Sequence, residues 1–170
     1  MSTIVAIVQD RYAGDVGDFV KFGLIRVLAD GEPRLRVGVN WYLTGDESHN
    51  ADGKHTGYLE PWTTHHGSLR SCDPDLISRL AHVVATDRSV AALETSGVLP
   101  AGSLTYPARL EDGLLDSGRR TWHQGALVAL GDADVVFVDP DNGIRLSRSG
   151  SKPSKFVFLD ELGPAAKYLA

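Results

Sequence analysis

The chain has 170 residues, enough for one globular domain with a core of its own, and 42% of them are hydrophobic. No apolar run reaches the roughly 18 residues that span a bilayer, so we expect no membrane segment. A formal net charge of -5 excludes a general basic field, so a nucleic-acid partner would need a local basic patch. The single cysteine, Cys72, excludes an internal disulfide and fits a reducing, cytoplasmic setting.

The N-terminal part of the chain predicts a strand, a helix and a second strand. Residues 4–8 are apolar and predict a short strand. Asp18 is the expected N-cap of a helix over 19–29, whose apolar residues recur at helical spacing. Beyond a break at Gly31, alternation of apolar and other residues predicts a strand over 35–43.

A long polar stretch, residues 44–71, predicts a loop. Its side chains Asp46, Glu47, His49, Asp52 and His55 are close enough in sequence to hold a divalent metal or to act as general acid and base. A solvated polar loop without either role is the open alternative, although a loop of this length is usually functional or disordered.

The second half of the chain alternates helices with short strands. Asp73 followed by Pro74 predicts the start of a helix, and residues 90–93 predict a short helix or strand. Residues 104–106 predict a strand, and residues 119–130 predict a helix that ends at Gly131. This alternation indicates a single α/β domain over 1–170 with a mostly parallel sheet.

The valine-rich run 135–138 predicts a strand buried on both faces, followed at once by Asp139, Pro140, Asp141 and Asn142. Ligands of open α/β sheets bind beyond the carboxyl ends of strands, so these residues are candidates for chemistry. A tight turn in which Asp and Asn bond their own backbone is the alternative.

A second run of this type, 156–159, ends in Asp160 and Glu161. If the two strands are adjacent, Asp139 and Asp141 lie beside these carboxylates, and such pairs share a proton or hold Mg²⁺ or Mn²⁺. The alternative is that Asp160 and Glu161 begin a final helix. The chain ends soon afterwards, so the sheet is expected to be minimal, shortened at the C-terminus, or completed by a neighbour in a homodimer.

The segment 13–21 is a candidate anion site. Gly14 and Gly17 precede a helix start, where free backbone N–H groups attract anions, and Lys21 lies one turn into the helix. An ordinary glycine turn with an aspartate cap is the alternative.

Two of these segments resemble a known family. The pattern Ala13-Gly14-Asp15-x-x-Asp18-x-x-Lys21 is similar to the N-terminal motif of the bacterial methyltransferases that modify adenine N6 in large-subunit ribosomal RNA. Asp139-Pro140 stands where adenine-N6 methyltransferases carry Asp-Pro-Pro-Tyr, with Asp141 and Asn142 in place of the last two residues.

The resemblance implies a three-layer Rossmann-like fold that binds S-adenosylmethionine. It implies that Asp139 and the Pro140 carbonyl accept hydrogen bonds from the adenine amino group, with Asp141, Asn142 and Lys21 completing the catalytic set. The residues implied for binding the cofactor are these: Gly14, Asp18, Lys21, Asn40 and Asp46.

Three functions therefore stay open. The first is a methyltransferase-like enzyme acting on a nucleic acid or a nucleotide-containing substrate. The second is a metal-dependent nuclease or phosphoesterase, favoured by the Asp-Asn pair after Pro140, with metal ligands from Asp46, Glu47, His49, Asp139 and Asp160. The third is a small binding domain without catalysis.

Overall fold

A computed structural model of the chain describes residues 10–45, 53–60, 67–111, 113–114, 116–163 and 168–169. The chain forms two compact units. The first unit comprises residues 1–30 and 46–101, and the second comprises residues 31–45 and 102–170. The predicted strand 4–8 lies outside the described residues.

The first unit is helical in its described part. Its α-helices are these: α1 (Val16–Ala29), α2 (Gly67–Cys72), α3 (Pro74–Thr86) and α4 (Val90–Thr95). Short 3-10 turns cover Asp10–Tyr12 and Gly57–Leu59. Helices α1 and α3 pack together, and Phe19, Phe22 and Ile25 of α1 are buried, while Leu28 is half-buried.

The two long helices of this unit begin at aspartates. Asp73 caps α3 as predicted, and its Oδ1 accepts the N–H of Leu76 at 2.9 Å. The prediction for α1 was wrong, because its N-cap is Asp15 and the helix begins at Val16. Gly14 adopts a φ of 77°, a left-handed conformation that turns the chain so that Asp15 reaches the cap position.

The second unit contains the predicted parallel sheet in a small, open form. Its strands are these: β1 (Val37–Asn40), β2 (Leu104–Tyr106), β3 (Val135–Val138) and β6 (Tyr168–Leu169). The strand order is β2-β1-β3-β6, and each neighbouring pair is parallel. The two-residue strand β6 pairs with the edge of the sheet formed by the other three strands. The unit is mixed α/β, because it also contains a helix.

Helix α5 (Asp116–Ala129) lies against β2 and contributes Trp122 to the core of the second unit. Gly38 in β1 allows this core to close tightly. A Cβ atom at that position would lie 3.1 Å from the Cβ of Ala133 and 3.3 Å from the side chain of Leu130. The glycine therefore lets the segment between α5 and β3 approach the central strand.

A second, two-stranded sheet pairs β4 (Ile144–Arg145) with β5 (Val157–Phe158) in parallel. The prediction that the run 156–159 lies beside β3 was therefore wrong. Strand β3 is paired with β1 on one side and with β6 on the other, so neither edge is open to β5. The length of the second run is also overpredicted, because a 3-10 turn begins at Leu159.

No helix among the described residues is long and apolar enough to cross a membrane.

Candidate functional site

The carboxyl ends of β1 and β3 form the best candidate site in the second unit. After β1 the chain crosses to β2 on one side, and after β2 it crosses to β3 on the other side of β1. Strand order therefore reverses between β1 and β3, which is where open α/β sheets bind ligands. The N–H of Asp139 donates to the carbonyl oxygen of Asn40 at 3.0 Å. Asp139, a predicted catalytic residue, and Asn40, a predicted cofactor-binding residue, are thus neighbours although they are distant in the sequence.

The four residues after β3 differ in how far they reach solvent. Asp139 and Pro140 are half-buried, whereas Asp141 and Asn142 are exposed. An Oδ2 atom of Asp141 lies 3.3 Å from Nζ of the buried Lys155. The N–H of Asn142 donates to the Lys155 carbonyl at 2.9 Å. Lys155 therefore fixes Asp141 and Asn142, the exposed end of the turn, and Asp139 and Pro140 precede this end in a half-buried position.

The segment after β1 carries two unusual features. Tyr42 is 2% exposed and has a φ of 50°, which is uncommon for a bulky residue. Backbone strain of this kind clusters at functional sites. Thr44 is 2% exposed, and its Oγ1 has no hydrogen-bond partner in the described part of the chain. Buried hydroxyl groups normally have one.

Asp160 and Glu161 are held by arginines. The exposed Asp160 carboxylate lies 2.9 Å from Nη2 of Arg148, and this hydrogen bond lowers the pKa of Asp160 below its usual value. Glu161 is 4% exposed, and its Oε1 lies 2.5 Å from Nε of Arg119. Each carboxylate is therefore matched with a cation from this unit.

The predicted metal ligands are only partly described. Asp46, Glu47 and His49 lie outside the described residues, so the structure does not test their role. Within the described ranges, no three His, Cys, Asp or Glu side chains are grouped closely enough to hold a metal ion.

The N-terminal motif folds as one hydrogen-bonded turn in the first unit. Asp18 is 5% exposed, and its Oδ2 accepts the N–H of Gly14 at 2.8 Å. Its Oδ1 lies 2.8 Å from Nζ of Lys21. The hydroxyl of Tyr58 donates to the Gly14 carbonyl at 3.2 Å. Burial, followed by the charge of Asp18, raises the pKa of Tyr58 above its usual value, so this hydroxyl stays protonated.

Backbone N–H groups at the start of α1 already donate hydrogen bonds within the first unit. The N–H of Val16 donates to the His55 carbonyl at 3.1 Å, and that of Gly17 donates to Oδ1 of Asp15 at 3.3 Å. Together with the Gly14 bond, these contacts use three of the donors that an anion would need. The described candidates divide between the two units: Gly14, Gly17, Asp18, Lys21 and His55 belong to the first, whereas Asn40, residues 139–142 and residues 160–161 belong to the second.

A pocket of about 80 Å³ lies in the second unit. Arg119, Arg148, Pro153, Phe158 and Leu110 are among the residues that line it, and none of the predicted site residues does. No sequence signal pointed to Arg119, because a single arginine on a predicted helix is typical of a solvated face. Thr44 and Tyr42 were equally hidden, since both fall in or beside a stretch predicted as strand and loop.

Comparison of the chain with models of protein families, with curated proteins and with solved structures finds no match in any of the three.

Proposed function

We propose that this chain is a methyltransferase-like enzyme that uses S-adenosylmethionine to modify an amino group of a nucleic acid or nucleotide-containing substrate. In this proposal the parallel sheet is the centre of a Rossmann-like fold. The observation that carries the proposal is the contact between Asp139 and Asn40 at the reversal point of the sheet. This position places Asp139 and Pro140 where ligands of open α/β sheets bind.

The Asp-Pro pair has the hydrogen-bonding chemistry that an amino substrate needs. An ionised carboxylate only accepts hydrogen bonds, and proline offers a carbonyl but no N–H. Asp139 and the Pro140 carbonyl therefore hold the two N–H groups of a base amino nitrogen and leave its lone pair free. The carboxylate also stabilises the positive charge that develops on that nitrogen during methylation.

The segment after β1 offers a buried polar group that a polar cofactor could bind. Thr44 Oγ1 is a buried hydroxyl without a partner in the described part of the chain, four residues beyond the buried Asn40. Thr44 and Asn40 are the residues of this unit that would hold the cofactor. S-adenosylmethionine supplies an electrophilic methyl group when bound. The roles of Gly14, Asp18, Lys21 and Asp46 in holding it stay predictions of the resemblance.

The carboxylates favour methyl transfer over metal-dependent hydrolysis. A divalent cation needs carboxylates that are free to bind it, and it would compete with any Arg or Lys that already lies beside them. Asp141 is beside Lys155, Asp160 is bonded to Arg148, and Glu161 is bonded to Arg119. Hydrolysis with ligands from residues 46–49 stays a prediction of the sequence, as does binding without catalysis.

The test combines ligand binding with transfer of a labelled methyl group. S-adenosylmethionine should raise the melting temperature, because a ligand of the native state stabilises it, whereas Mg²⁺ or Mn²⁺ should not. Methyl transfer to total RNA and to adenine nucleotides should fall by roughly 10²-fold or more in Asp139→Asn.

Asp132→Asn is the matched control, because Asp132 is exposed near the amino end of β3, at the opposite edge of the sheet. It should keep the wild-type transfer rate. A melting-temperature rise with Mg²⁺ or Mn²⁺ alone would favour hydrolysis, and no rise with any of these ligands would favour binding without catalysis. Either result would contradict the proposal.

A further inference from the structure

A basic loop follows directly from the candidate site in the second unit. We use this name for residues 144–156, which include Arg145, Arg148, Lys152 and Lys155. The longer stretch 142–159 contains no aspartate or glutamate, in a chain whose formal net charge is -5. The loop is therefore a local exception to the acidic balance of the protein.

Both ends of the basic loop are tied to the turn after β3. The N–H of Asn142 donates to the Lys155 carbonyl at 2.9 Å, and the N–H of Val157 donates to the Gly143 carbonyl at 3.1 Å. Strands β4 and β5 pair across these two points. Because Asn142 is only three residues from Asp139, the loop starts and ends beside the proposed amino-group site.

Arg145 is held as a flat, charged surface. Its guanidinium carbon lies 3.4 Å from the ring centroid of Phe156, and its Nη1 donates to the Ser151 carbonyl at 3.2 Å. In the described part of the chain, no carboxylate lies within ion-pair distance of Arg145, unlike Arg148, which is paired with Asp160. Nucleic-acid bases stack on guanidinium planes, and phosphates pair with their charge.

The loop also presents hydrogen-bond donors and an apolar side chain. Ser147, Ser149 and Ser151 are exposed, and the hydroxyls of Ser147 and Ser149 lie 2.8 Å apart in a hydrogen bond. Serine hydroxyls suit phosphate oxygens. Leu146 is 83% exposed, so an apolar side chain lies among the charges. Cations, hydroxyls and an apolar contact on one irregular segment are what a flexible single strand binds, whereas a duplex hides its base faces.

Resting on the proposed function, we infer that the basic loop binds the backbone of a single-stranded nucleic acid and presents one of its bases to Asp139 and Pro140. The loop supplies positive charge for the phosphates through Arg145 and Lys152. It also supplies the guanidinium plane of Arg145 for stacking. The substrate class is therefore a polynucleotide, and a free nucleotide should be a much poorer ligand.

The experiment measures fluorescence anisotropy of a labelled 20-nucleotide single-stranded oligoadenylate RNA over a range of salt concentrations. Arg145→Gln/Lys152→Gln should weaken binding roughly tenfold. It should also flatten the plot of log affinity against log salt by about 1.4, which is 0.7 for each of two lost phosphate contacts on a single strand. Arg145→Lys should keep the salt slope but lose the part of the affinity that comes from stacking.

Arg120→Gln is the matched control, since it removes one exposed positive charge on α5 outside the loop. It should bind the RNA as the wild type does, and equal affinities for all variants would overturn the inference. Equal, Arg145-dependent binding to phosphatidylserine vesicles would also overturn it, because the loop would then recognise anionic surfaces in general. Circular dichroism confirms that each variant is folded.

These outcomes are distinct from those of the proposed function. Loss of methyl transfer in Asp139→Asn, together with RNA affinity that still falls when Arg145 is replaced, supports both proposals. RNA binding that depends on Arg145 in a protein that does not bind S-adenosylmethionine supports the loop and overturns the enzyme. If the protein binds S-adenosylmethionine but its RNA affinity does not depend on the loop, the proposed enzyme is supported and the role of the loop is overturned.

Discussion

Arg119 and Glu161 form an enclosed, two-point ion pair in the second unit. Nε of Arg119 lies 2.5 Å from Oε1 of Glu161, and Nη2 of Arg119 lies 2.8 Å from Oε2. The side chains are only 6% and 3% exposed. Glu161 also accepts the hydroxyl of Tyr42 at 3.2 Å and the N–H of Phe158 at 3.0 Å. The pair thus connects α5 to the segment after β1.

The first prediction concerns this pair. Glu161→Ala should lower the free energy of unfolding by about 3–5 kcal/mol, because it leaves the Arg119 guanidinium buried without its counter-charge. Urea denaturation monitored by tryptophan fluorescence measures the loss. The control Glu111→Ala changes an exposed glutamate of the same unit and should stay within about 0.5 kcal/mol of the wild type. Similar losses in both variants would show that the buried pair stabilises the protein no more than an exposed glutamate does.

The second prediction concerns the two glycines of the N-terminal motif. Gly14 has a φ of 77°, and a Cβ there would collide with the Val84 side chain. Gly14→Ala should therefore destabilise the protein by more than about 1 kcal/mol. Gly17 lies inside α1 with nothing within 4 Å of an added Cβ, so Gly17→Ala should be neutral or stabilising by up to about 1 kcal/mol. Thermal denaturation compares them, and the opposite order would refute this description of the turn.

The third prediction separates two roles of Lys21. The Lys21 ammonium and the buried Asp18 carboxylate are 2.8 Å apart. Lys21→Met and Asp18→Asn should each destabilise the protein, and the double variant should lose less than the sum by about 1 kcal/mol. Denaturant titration of the four proteins gives this coupling, and strict additivity would exclude it. Isothermal titration with S-adenosylmethionine then asks separately whether Lys21→Met binds the cofactor more weakly, as the resemblance implies.

The fourth prediction concerns pH. Burial lowers the pKa of His123 from its ordinary value of 6.5, and its Nδ1 has no hydrogen-bond partner in the described residues. The unfolded chain therefore takes up this proton at a higher pH than the folded protein does. The contribution of neutral His123 to stability is complete above pH 6.5 and is lost progressively as the pH falls below it.

His123→Phe removes this titration, so the variant should lose less stability than the wild type between pH 7.5 and pH 5.5, by urea denaturation. His82→Phe changes an exposed histidine of α3 and should leave the wild-type dependence in place. The prediction is wrong if His123→Phe loses as much stability in this interval as the wild type.

Elements defined by local sequence were predicted well. The run 135–138 and the strand Leu104–Tyr106 lie where their apolar residues indicated, and α3 begins at its Asp-Pro signal. Helix α1 was placed three residues late because Asp15 and Asp18 are both good caps, and only the left-handed turn at Gly14 decides between them. Strand β1 is shorter than its alternating pattern because Tyr42 leaves the extended conformation.

Relationships between distant segments were predicted less well. The neighbour of a strand depends on which edges are already paired, and nothing in the run 156–159 reveals that β6 occupies the free edge of β3. Asp160 was therefore expected beside Asp139, but its carboxylate is instead bonded to Arg148. The meeting of Asn40 and Asp139 was not predicted either, because Asn40 lies inside the predicted strand 35–43 and the sequence does not show which strands are neighbours.

The backbone hydrogen bonds accepted by Gly143 and Lys155 affect how the sequence of the basic loop can evolve. Residues between these hydrogen bonds can be lengthened, shortened or recharged while the pairing of β4 with β5 and the turn after β3 stay intact. Under the inference that this loop binds nucleic acid, its preference for one polymer over another can therefore change by mutation without loss of folding.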